Sequence, residues 1–96
     1  MKQYYYIETL SHNHPFNEKA NKIMFPANAS EKDIFNAYMT LCQEKQFGHA
    51  TLRHWNGWLH ELIAEWFETD EIPYWYTNYS ACKTFCSAAM YWPENN

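Results

Sequence analysis

The chain is short of glycine, of arginine and of long apolar runs. Two Gly and four Pro among 96 residues argue against a loop-dominated or disordered chain. They also make a Gly-rich phosphate cradle improbable, and no G-x-S-x-G turn is present. Arg53 is the single Arg, and the formal net charge is -4. Duplex binding rests on clustered Arg and Lys, so direct nucleic-acid contact is not expected. No stretch of about 18 apolar residues occurs, so no membrane span is expected. Cysteine is sparse, odd in number at three, and "MKQYYYIETL" lacks a signal-peptide pattern. The expectation is a reducing, cytoplasmic compartment.

What the chain has in plenty is aromatic surface. Six Phe, five Trp and eight Tyr make up 20% of the residues. Large rings give a short chain more contact area per residue, and leave some rings for the surface. The length fits one domain, residues 1–96.

"QYYYIETL" is rich in aromatic and β-branched residues and predicts a strand, with Tyr4, Tyr6 and Glu8 alternating with Tyr5, Ile7 and Thr9. A loop follows through Pro15. "KIMFPAN" is a second strand or a segment pinned under the aromatics, stopped by Pro26. "SEKDIFNAYMTLCQEKQFG" predicts a helix capped by Ser30, with Ile34, Phe35, Tyr38, Leu41 and Cys42 on one face and Gly48 as an end signal. "TLRHWNGWLHELIAEWFE" reads as a second helix whose first half is weakened by Gly57. "IPYWYTNY" reads as extended, and "NYSACKTFCSAAMYW" as a third helix. The expected fold is α+β, about three helices on one or two short N-terminal strands. An all-α domain is the alternative.

"HELIAE" opens like the zincin pattern H-E-x-x-H, but Ala64 stands where the second His is needed. Glu65 is five residues from His60, about 140° further round a helix, which is poor geometry for sharing an ion. The candidates for a metal site built elsewhere are His12, His14, His49, His54, His60, Cys42, Cys82 and Cys86, without the close pairing of a zinc site. No cofactor, metal or catalytic residue is assigned, and the chain is expected not to be an enzyme.

Charge on the second expected helix is the informative feature. Glu61, Glu65, Glu68, Asp70 and Glu71 include no intervening Lys or Arg, and the three Glu share a face at helical spacing. Tyr74, Trp75 and Tyr76 lie beside them, with Trp58 and Phe67 off the expected core stripe of Leu52, Trp55, Leu59, Leu62, Ile63 and Trp66. Aromatic anchors with an acidic rim suit a protein-binding surface. The expected function is a small intracellular inhibitor that binds a larger protein with a basic surface, such as a nucleic-acid-binding enzyme. In size and charge the chain is similar to small phage anti-defence proteins, including anti-CRISPR and DNA-mimic anti-restriction proteins, without a shared family motif. A metal- or thiol-dependent regulator and a homo-oligomer subunit are the alternatives.

Overall fold

A computed structural model describes residues 3–76. Five strands form one antiparallel sheet: β1 Tyr4–Leu10, β2 Asn21–Met24, β3 His49–Trp55, β4 His60–Phe67 and β5 Tyr74–Trp75. Their spatial order is β2-β1-β3-β4-β5. The helix α1, Glu31–Glu44, connects β2 to β3 and packs on one face.

The N-terminal cap of α1 is as its sequence predicts, whereas its end comes before Gly48. The Ser30 hydroxyl accepts a hydrogen bond from the Asp33 amide at 3.1 Å, satisfying one of the free donors at the helix start. Ile34, Phe35, Tyr38, Met39 and Cys42 are buried. They meet Ile7 of β1, Ala50 and Leu52 of β3, Ile63, Ala64 and Trp66 of β4, and Trp75 of β5. The Tyr38 hydroxyl donates to the Ala50 carbonyl at 2.8 Å, tying helix to sheet. The helix ends at Lys45, which adopts the left-handed conformation (φ 54°), three residues before Gly48.

The expected second helix over residues 51–68 does not form. Those residues lie in the β3–β4 hairpin, turned at Asn56–Leu59. The Asn56 side-chain oxygen accepts from the Trp58 and Leu59 amides at 2.8 and 2.9 Å, and Gly57 supplies φ 93°. Asn-Gly is a strong hairpin signal, because both residues tolerate positive φ. A register slip between Leu52 and Arg53 leaves Ile63 as the extra residue of a bulge. Both Ile63 and Ala64 therefore reach the core. The fold is mostly sheet, so three helices on short strands, and equally an all-α domain, are overturned. The expected third helix, residues 78–92, falls outside the described residues.

Candidate binding face

Strand alternation and register decide which side chains face away from α1. One row across this open face is Tyr4, Trp55 and His60; the next is Met24, Tyr6, Arg53 and Leu62. Then come Lys22, Glu8, Thr51, Glu65 and Tyr74, followed by Leu10, His49 and Phe67. On this face Tyr6 and Thr51 are buried, whereas Met24, His60, Phe67 and Tyr74 are exposed.

The rings form two groups. At the hairpin end, Tyr6 lies 5.8 Å from Tyr4 and 5.6 Å from His60, ring centre to ring centre, and Trp55 lies 4.7 Å from His60. The Tyr6 hydroxyl is 2.6 Å from His60 Nδ1, and the Lys22 ammonium stands 5.2 Å from the Tyr6 ring centre. Burial raises the Tyr6 hydroxyl above its ordinary value, and the Glu8 carboxylate adds to that. At the far end, His49 stacks on Phe67 at 4.4 Å, and Tyr74 meets Tyr76 edge-on at 4.9 Å. Between the groups, Arg53 Nε reaches the Glu8 carboxylate at 2.8 Å.

The hairpin projects apolar surface beyond the sheet. Trp58 is 84% exposed, Leu59 is 48% exposed, and Met24 on β2 is 55% exposed. Isolated exposed apolar residues are ordinary; an exposed tip continuous with an aromatic sheet face is the stronger interaction feature.

No protein-family model, curated protein or solved structure matches this chain. The functional reading therefore rests on the geometry.

The acids expected to form one stripe are dispersed. Glu61 faces α1, where its carboxylate accepts from His54 Nδ1 at 2.9 Å. Glu65 is on the open face and accepts from His49 Nε2 and the Tyr76 hydroxyl, each at 3.0 Å. That bond to Glu65 is the main reason the Tyr76 hydroxyl is held above its ordinary value. Glu68, just past β4, pairs with His12. Asp70 closes the β4–β5 turn: its carboxylate accepts from the Phe67 amide at 2.9 Å and its carbonyl from Trp66 Nε1 at 3.1 Å. Glu71 is exposed. The helical spacing that joined Glu61, Glu65 and Glu68 has no counterpart in a bulged strand.

The expected aromatic anchors divide too. Tyr74 is 64% exposed on the open face, Tyr76 is half-buried there, and Trp75 faces the core against Phe35 and Tyr38. Trp58 and Phe67 are exposed, but so is Leu59 of the expected core stripe, and Trp55 and Leu62 lie outside the core too. Sequence reasoning missed Tyr4, Trp55, Leu59 and His60 as members of one surface, gathered around the buried Tyr6 ring. The alternation in "YYYIETL" and the Asn-Gly turn were the available signals.

His60 and Glu61, the start of the zincin-like pattern, point to opposite sheet faces. Among the described residues, no group of three or more His, Cys, Asp or Glu is placed to hold a metal ion. Cys82 and Cys86 fall outside the described residues. Burial pushes the Cys42 thiol up to about 12, so at neutral pH it is a core thiol rather than a thiolate nucleophile. No helix of the described residues is long and apolar enough to cross a membrane.

Proposed function

We propose that this chain is a non-catalytic binding protein that acts as a stoichiometric inhibitor by covering the surface of a larger protein. The observation that carries the reading is the exposed hairpin tip, Trp58 and Leu59, continuous with the aromatic rows of the open sheet face. Trp and Tyr are favoured anchors because they combine broad apolar area with a polar tip. The partner carries a basic rim, as a nucleic-acid-binding enzyme does; the net charge of -4 is complementary to it. The rings lead this contact, and the acids contribute long-range attraction from scattered positions.

The test is affinity capture from a host lysate with three tagged proteins: wild type, Trp58→Ser/Leu59→Ser, and Tyr74→Ser as a second position on the face. The expected result is one partner at fixed stoichiometry, lost with the hairpin variant while its melting temperature is unchanged. Equal capture by wild type and both variants would remove the open face from the argument. Self-association seen by sedimentation, with no foreign partner, would favour the homo-oligomer reading instead.

A further inference from the structure

A separate feature lies at the sheet edge where β1 begins, β2 ends and α1 starts. There the chain borders an open cleft of about 480 Å³, lined by Tyr4, Tyr5, Phe25, Glu31, Ile34 and His54 among others. That volume is in the range of small-molecule sites. We infer that this cleft binds a small organic cation: a primary ammonium or a guanidinium group carried on a short apolar stem.

Three observations point to that chemistry. The first is charge. Among the described residues lining the cleft there is a carboxylate, Glu31, and no Lys or Arg. The second is how that carboxylate is held. The Tyr5 hydroxyl donates to Glu31 Oε2 across 26 residues of sequence, fixing the acid at the cleft wall. An ionised carboxylate has about four acceptor positions, and Tyr5 takes one. The third is the wall itself. Tyr5 lies against His54 with ring centres 4.4 Å apart, and meets Phe35 edge-on at 5.9 Å. His54 is fixed from behind by its bond to Glu61 at 2.9 Å. Phe25 adds a further ring. Aromatic faces attract cations, and a carboxylate beside them gives a cation its hydrogen-bond partner. A neutral alkyl group leaves the acid unused.

This chemistry has two sources, a free small molecule or a Lys or Arg side chain of a protein. The inference does not depend on the open face being a docking surface. The experiment follows backbone amide and tyrosine ring NMR signals of the full chain during titration. The probes are n-butylguanidinium and n-butylammonium, with n-butanol as the neutral control and acetyl-Gly-Arg-Gly-amide as the peptide form. Saturable shifts at Tyr5, Ala29 and Glu31 with the cations, and none with butanol, are expected. Glu31→Gln is expected to weaken binding by about tenfold or more, the loss of one charge-assisted bond. Ala27→Trp, which keeps the carboxylate and obstructs the cleft, is expected to do the same with an unchanged fold. Tighter binding of the bare cation than of the peptide identifies a free ligand, and the reverse identifies a side chain. No saturable shift at millimolar cation, equal shifts with butanol, or undiminished binding by Glu31→Gln would overturn the inference.

Discussion

Gly48 and His12 meet where the end of β1 crosses the entry to β3. A Cβ built on Gly48 would stand 2.6 Å from the Ser11 carbonyl oxygen and 3.1 Å from His12 Cα, both backbone atoms. The same glycine donates its amide to Leu10 at 2.9 Å and accepts from the Glu68 amide at 3.0 Å. Neither neighbour is a flexible side chain that can swing aside. Gly48→Ala is therefore expected to destabilise the fold by about 1–3 kcal/mol, measured as a shift in urea midpoint. His12 uses both ring nitrogens: Nδ1 pairs with Glu68 and Nε2 donates to the Lys45 carbonyl at 3.0 Å. Two acceptors favour the imidazolium, so its pKa is raised, first by the Glu68 bond and then by the Lys45 carbonyl. A raised folded-state pKa adds stability that is fully present below the unfolded value, about 6.5. That stability fades as pH rises through the folded value. The stability difference between wild type and His12→Asn should be largest near pH 5 and shrink towards pH 8 or 9. A difference that grew with pH would reverse the assigned sign.

At the scale of elements, the hairpin is where sequence and structure part. Its turn depends on Gly57 at φ 93°, a conformation that crowds any Cβ. Gly57→Ala is expected to cost about 1–2 kcal/mol in denaturant unfolding, while Trp58→Ser beside it costs almost nothing. β1 and α1 were legible because each carries a single period: Tyr4–Leu10 alternates, and Ile34, Phe35, Tyr38 and Cys42 recur at helical spacing behind a Ser30 cap. β4 was not legible because its bulge breaks the alternation. Glu61, Ile63, Ala64 and Trp66 all face α1, and the interval from Ile63 to Trp66 is one a helix would also produce. Glu, Leu and Ala are also good helix formers, and here tertiary pairing outweighs that preference. The acidic stripe fell with the helix that defined it, since its Glu residues answer separate histidines on β3 and in the β1–β2 loop. Trp58 and Phe67 are exposed for strand reasons, one in the turn and one on the face away from α1, while Trp55, Leu59 and Leu62 of the expected helical stripe lie outside the core.

Across the described molecule, one helix covers one face of a five-stranded sheet, and this arrangement explains where so many rings go. The covered face takes Ile7, Leu52, Trp66 and Trp75 with Phe35 and Tyr38 of α1. The other face carries Tyr4, Tyr6, Trp55, Phe67 and Tyr74, which bury one another in part. The rings thus divide into those buried under α1 and those on the other face, of which Tyr6 is buried and Phe67 and Tyr74 are exposed. Two tryptophans separate stability from binding by experiment. Trp66 is fully buried and its indole N–H donates to the Asp70 carbonyl, so Trp66→Ala is expected to cost about 3–5 kcal/mol. Trp58 is 84% exposed, so Trp58→Ser should leave stability within about 0.5 kcal/mol. If the open face is the contact, the ranking inverts for binding. Trp58→Ser is expected to weaken the partner complex by more than about tenfold through a faster off-rate, as loss of an anchor ring does. Reversing exposed Glu71 to Lys is expected to act mainly on the on-rate and its salt dependence, because a rim charge steers approach rather than filling a pocket. Equal off-rates for wild type and Trp58→Ser would place the partner's contact elsewhere on the molecule.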